Sequence, residues 1–176
     1  SRSPSANNRL REGHDSFQLS IENLGQEDLY EQIFNQTFHF IGVLEPDGTL
    51  IDANEAALSF GGLTREEVVG EPFWEAYWWQ LSDGTQAQLR DAIDRAADGE
   101  FVRFEVEVQG ADRTAIIDFS LRPVSNEHGE IILLVPEGRD ITDLKEREQE
   151  LQRIDRLNTV IRTIVHTVAR AETRKE

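Results

Sequence analysis

The sequence predicts an α+β fold: a five-stranded antiparallel sheet with short helices packed on one face, followed by a long C-terminal helix. Three observations predict it. Apolar residues alternate with polar ones over Val102, Phe104, Val106 and Val108, and again over Ala115, Ile117, Phe119 and Leu121, which is the period of half-buried strands. Two short apolar runs flank Pro46-Asp47-Gly48, a hairpin signal in which Pro fixes a turn and Gly tolerates positive φ. Between these groups, and again after Thr142, apolar residues recur three and four apart, the spacing of amphipathic helices.

Taken in order, the opening SRSPSANNRLREGHDS is polar and without an apolar period, so residues 1–26 are expected to be a flexible linker. A helix follows from about Glu27, with Leu29, Tyr30, Ile33, Phe34 and Phe38 on a broad apolar face. Strands are expected near 39–45 and 49–53. NEAALSF and TREEVVG read as helices, and Thr64 with Glu67 three residues later makes a capping box for the second. FWEAYWW, Phe73 to Trp79, reads as a third short helix and holds all three tryptophans. A fourth begins after Asp83-Gly84, with Thr85 and Gln88 in cap positions, Leu89, Ile93 and Ala96 on one face, and Gly99 as its stop.

The two alternating strands come next; Arg103, Glu105 and Glu107 lie on the outer side of the first, and Asp118, Ser120 and Arg122 on the outer side of the second. A turn at SNEHG leads into EIILLVPEG, a continuous apolar run that predicts a central strand covered on both faces. The last helix runs from about Thr142, where Thr142 or Asp143 would serve as N-cap. Its residues Leu151, Ile154, Asn158, Ile161, Val165 and Val168 alternate three and four apart, the seam of a two-helix coil with one polar position able to fix register. Leu157, Val160 and Ile164 widen the stripe, so the helix either pairs with a second copy or folds back on its own sheet.

On an α-helical wheel of about 100° per residue, Phe73, Trp74, Tyr77, Trp78 and Leu81 share one arc, and Trp79 falls opposite, beside Glu75. The arc serves either as plain core or as the wall of a ligand pocket. Trp79, off the arc, would cover a neighbouring loop or meet another chain.

Asp and Glu number 34 against 18 Lys and Arg, for a formal net charge of -16, and Lys145 and Lys175 are the only lysines. Such an acidic, lysine-poor surface fits a salt-rich cytosol, with an ordinary acidic domain as the alternative. It disfavours direct nucleic-acid binding, since phosphates would repel it and no basic stripe is present. With Cys 0, disulfides, thiolate metal sites and cysteine nucleophiles are excluded. There is no apolar run of membrane-spanning length and no signal-peptide pattern, so a soluble, cytoplasmic segment is expected, with no membrane contact. The sequence lacks an initiating Met and stops at AETRKE, which reads as a fragment of something longer. No Gly-rich phosphate loop, paired His ligands or nucleophile with a base is present, so neither a metal nor a catalytic residue is expected.

LEPDGTLIDANEAA, LTREEVVGEPFW, FSLRPVSNEHGEI and EGRDIT running into a charged helix together resemble the PAS sensory domains with their PAC segment, over about Glu27 to Asp143. The Trp-Trp pair and RIDRLNTVIRTIVHTVARAETRKE look more narrowly like haloarchaeal bacterio-opsin-activator-type regulators and related sensor kinases. The resemblance implies a sensory domain at 27–143 that encloses a small-molecule pocket, and an output helix at 144–176 feeding a downstream domain, either a DNA-binding regulator or a kinase core. It implies a relay segment at Asp140, Ile141 and Thr142, and pocket candidates Phe40, Gly42, Leu44, Phe60, Phe73, Trp74, Tyr77, Trp78, Phe104, Ile117, Phe119 and Leu121. The seam spacing of the terminal helix points to a homodimer, with the two helices parallel. A flavin bound as a cysteine adduct is excluded by the absence of Cys, and haem is disfavoured because the helix near Thr85 to Asp98 carries no His, leaving His39 at a strand start as the sole residual. Non-covalent flavin leaves no short signature, so the ligand is open. His166 is followed by TVARAE, unlike the acidic residue and Pro that follow a sensor kinase's phospho-accepting histidine.

Overall fold

The computed structural model describes residues 25–173. The linker expected at residues 1–26 lies outside them except for Gly25 and Gln26, and Gln26 already opens helix α1, Gln26–Gln36. Strands β1 (Phe40–Leu44) and β2 (Leu50–Ala53) follow, then helices α2 (Glu55–Gly61) and α3 (Arg65–Val68). Two 3₁₀ turns, Phe73–Glu75 and Tyr77–Trp79, lead to α4 (Asp83–Ala97), to strands β3 (Val102–Gln109), β4 (Thr114–Ser125) and β5 (Ile131–Asp140), and to α5 (Thr142–Thr173).

The five strands form one antiparallel sheet in the order β2-β1-β5-β4-β3, so the first hairpin and the last strand meet at its centre. The tight turn between β1 and β2 closes as expected: Gly48 sits at φ 94 and donates its N–H to Glu45 O at 2.9 Å. The inward residues of β3 and β4 are those that the two-residue alternation picks out; Val102, Val106, Val108, Ala115, Ile117, Phe119 and Leu121 are buried and Phe104 is half-buried. Helix α4 lays Leu89, Ile93 and Ala96 on that face, together with Ala92.

Asn54, fully buried at 0 %, fixes how the first hairpin meets the helical layer. Its Oδ1 accepts from the N–H groups of Ile41 and Ala57, both at 3.1 Å, and its Nδ2 donates to His39 O at 2.8 Å. It is therefore both the N-cap of α2 and a cross-tie to β1, with its polar atoms matched as burial requires.

Four expectations need correction. FWEAYWW is not an α-helix: Ala76, at φ -62 and ψ 150, is extended and splits it into two 3₁₀ turns. The segment is short, starts after Pro72, and is made of aromatics that propagate a helix poorly. The N-cap of α4 is Ser82, whose Oγ accepts from Thr85 N–H at 3.1 Å, so Thr85 and Gln88 lie inside the helix. The broad face of α1 buries only Phe34; Tyr30, Ile33 and Phe38 are exposed, Phe38 at 97 %. Strand β5 is central but fully covered on one face only: Leu134, Pro136 and Gly138 point inward and are buried, whereas Leu133 and Val135 on the other face are half-buried and Glu137 is exposed.

Candidate functional site

Aromatic residues from both layers converge on one spot. One row across the sheet runs Phe40 (β1), Gly138 (β5), Phe119 (β4), Phe104 (β3), each the register partner of the next. Gly138 interrupts that row of rings, and a Cβ built there would stand 2.8 Å from Ile117 Cγ2. The missing side chain lets Ile117 and Phe40 close in over the strand. Over this place the helical layer encloses a cavity of about 60 Å³, lined from the sheet by Phe40, Gly42, Ile117, Phe119, Pro136 and Gly138 and from the other side by Ala57, Phe60, Phe73, Trp78 and Trp79.

The extended break at Ala76 decides which rings face inward. It redirects the second turn relative to the first, so that Phe73, Ala76, Trp78 and Trp79 are all buried. Trp79, at 2 % exposure the most buried of the tryptophans, meets Phe73 and Phe119 edge to face, with ring centroids 5.5 and 5.1 Å apart. Trp78 joins it and donates Nε1–H to Ala57 O at 3.1 Å. The expected positions of Trp79 and Trp74 are thus exchanged. Trp74 lies outside the cavity, half-buried against the β1–β2 turn at Gly48, with the Arg90 guanidinium 5.1 Å above its ring. Leu81 is 39 % exposed.

Of the candidates, Phe40, Gly42, Phe60, Phe73, Trp78, Ile117 and Phe119 come together around the cavity. Leu44 and Leu121 are fully buried but belong to the core away from it, and Phe104 stacks behind Phe119 at 5.2 Å. Tyr77 turns aside to donate its hydroxyl to Gly110 O at 3.3 Å. Sequence reasoning missed Trp79, Ala57 and Gly138. The isolated glycine inside a strand was the signal for a close approach; for Trp79, the signal was a stretch too short to sustain an α-helix.

Just beyond Gly138, where β5 ends at Asp140, the relay candidates form a bonded junction. Asp140 Oδ1 accepts from Thr142 N–H at 3.0 Å and from its hydroxyl at 2.6 Å, while Oδ2 accepts from Arg113 Nη2 at 2.6 Å. The capping carboxylate is Asp140, two residues before the expected position. Burial works to raise the Asp140 pKa, but hydrogen bonds from Thr142 and Arg113 outweigh it, and the carboxyl titrates below its ordinary value. Ile116 uses both backbone groups on this junction, donating N–H to Thr142 Oγ1 at 3.0 Å and accepting from Ile141 N–H at 2.8 Å. Ile141 is buried, and Lys145 reaches Glu105 on β3 at 2.8 Å. The first turn of α5 is therefore tied to β3 and β4.

Beyond that turn α5 leaves the domain and does not fold back on the sheet. None of its residues is buried; Leu151, Ile154, Asn158, Ile161, Val165 and Val168 face outward, with Leu151 at 67 % exposure. Among the described residues no group of acidic and His side chains could hold a metal ion, and no helix is long and apolar enough to cross a membrane.

The family model described as PAS fold matches residues 34–146. Sensor histidine kinase TmoS of Ectopseudomonas mendocina is 40% identical over 131 residues, covering 73% of this chain and 14% of that protein. Hybrid signal transduction histidine kinase D of Dictyostelium discoideum is 39% identical over 124 residues, covering 69% of this chain and 8% of that protein. Among solved structures, the PAS domain from Bordetella pertussis BvgS superposes with a TM-score of 0.56 at 21% identity, covering 74% of this chain and 97% of that one. That likeness shows the fold. The two relatives are far longer than this chain, which corresponds to a small part of each.

Proposed function

The chain belongs to the PAS fold family, and from that premise we propose that residues 27–143 are a cytoplasmic sensory module whose cavity takes a small molecule and whose occupancy biases α5. One observation carries this reading. The strands that floor the cavity, β4 and β5, run without interruption into the Asp140–Thr142 junction where α5 is fastened. A ligand that fits one arrangement of that sheet better than another shifts the population of helix orientations by its differential affinity. The relatives named as histidine kinases support a kinase as the downstream output; the narrower likeness to bacterio-opsin-activator-type regulators would instead place a transcription regulator there. The net charge of -16 with two lysines supports a halophilic host.

Native mass spectrometry and an absorption spectrum of the purified chain test the ligand reading. It expects a bound mass or a chromophore, lost on unfolding, and a compound identified this way should alter amide exchange at Thr142–Lys145. A compound seated in the cavity that leaves those amides unchanged would contradict the relay.

The exposed stripe on α5 favours a second reading, a dimerising relay module that needs no ligand. In it the helices of two copies pair in parallel through Leu151, Ile154, Asn158, Ile161, Val165 and Val168, with Asn158 setting the register. Light scattering should find a dimer that Ile161→Asp converts to monomer; a monomer at all concentrations and salt levels rules this reading out.

A further inference from the structure

We infer that the cavity is built for a small, uncharged, predominantly apolar molecule no larger than a single aromatic ring. This rests on the sensory reading above and names the class of its ligand. Three polar side chains beside the cavity are already matched, while the Trp79 indole N–H on its wall has no hydrogen-bond partner among the described residues. Asn54 uses its amide on His39 O and on the N–H groups of Ile41 and Ala57, Trp78 Nε1 is bonded to Ala57 O, and the Tyr77 hydroxyl goes to Gly110 O. Glu137, the one charged residue at the rim, pairs with His39 Nδ1 at 3.0 Å, and its side chain is 47% exposed. Ligand sites ordinarily keep a few placed polar groups to orient what they bind, and most of the side-chain groups here have been spent on the fold. A ligand hydroxyl or carboxylate entering it would lose several water partners and gain one indole donor at most.

Size points the same way. The space of about 60 Å³ is well below the several hundred that a drug-sized ligand fills, and below the ~150 Å³ known to hold benzene. The wall best able to yield is the stacked pair Phe40 and Phe60, centroids 5.0 Å apart, since both rings are half-buried while Phe73, Trp78, Trp79 and Phe119 are buried. A flat ring can enter by parting that stack.

The test is a titration of the ¹⁵N-labelled chain with benzene and, separately, with phenol, following the indole N–H signals of Trp78 and Trp79. Benzene should shift both saturably, and phenol should bind at least about tenfold more weakly. Ala57→Leu, which fills the space from the helical wall, should abolish the benzene shifts while keeping a cooperative thermal transition. Should that variant not fold, Ile117→Phe fills the same space from the sheet. If phenol binds as tightly as benzene, the ligand class is wrong and the sensory reading stands. If neither compound moves the indoles at millimolar concentration, the cavity is a packing defect, and the reading of it as a ligand site falls too.

Discussion

Trp79→Ala should destabilise the domain far more than Trp74→Ala, the reverse of what α-helical spacing of FWEAYWW predicts. Trp79 is 2 % exposed and wedged between Phe73 and Phe119, joining the helical layer to the sheet. Truncating a buried ring of that size costs about 3–5 kcal/mol, a figure that already includes edge-to-face contacts worth ~0.5–1.5 kcal/mol each. Trp74 is half-buried at the surface, and its identifiable partner is Arg90, an exposed cation–π contact worth ~0.5–1 kcal/mol. Adding partial burial at roughly 25 cal/mol per Å² brings Trp74→Ala to about 1–2 kcal/mol. With a urea slope of ~2 kcal/mol/M, the two midpoints should differ by about 0.5–2 M. Urea unfolding of both variants, followed by circular dichroism with the slopes compared, is the assay. Equal midpoints, or a lower midpoint for Trp74→Ala, would refute the 3₁₀ arrangement and the cavity wall built on it.

Other outcomes follow from single contacts. Asn54→Ala strips partners from the Ile41 and Ala57 N–H groups and from His39 O, and should cost about 2–4 kcal/mol in the same assay. Gly138→Ala puts a methyl group 2.8 Å from Ile117 Cγ2 and 3.5 Å from Phe40 Cδ2, so it should lower stability by ~1–3 kcal/mol and displace Phe40, visible in aromatic NMR signals. Because the Asp140 pKa is depressed in the folded state, its contribution is full above the unfolded value near 3.8 and is lost as pH falls through the folded value. The melting-temperature gap between the native chain and Asp140→Asn should therefore be constant near neutrality and close in acid; a gap that widens in acid would show the sign to be wrong.

Much of this fold was legible because its signals are local. The alternation in β3 and β4, the Pro46-Asp47-Gly48 turn and the apolar face of α4 each reflect geometry that a few neighbouring residues enforce. What escaped depended on partners distant in sequence or on a change of period. FWEAYWW carries its apolar residues at a spacing that an α-helix and a pair of 3₁₀ turns read differently, and only packing against Phe119 chooses between them. The apolar run of β5 signalled a central strand correctly, but its outer side, where Leu133 and Val135 are half-buried and Glu137 is exposed, is only partly covered. The cap of α5 was misplaced because Asp140 is held by Arg113, a residue remote in sequence, as well as by Thr142. Leu44, Leu121 and Phe104 alternate as cavity residues would, yet Leu44 and Leu121 lie away from it in the core and Phe104 sits behind Phe119.

On the function proposed above, the cavity and the start of α5 are coupled. Amide hydrogen exchange at Thr142–Lys145 in Ala57→Leu tests it most directly, because Ala57 lines the cavity from the helical layer, opposite the strands that lead into the junction. Coupling of ordinary strength predicts that exchange there changes by roughly fivefold or more while the variant's global stability is accounted for separately. Exchange at the junction that stays at the native rate while the cavity is demonstrably filled would contradict the account.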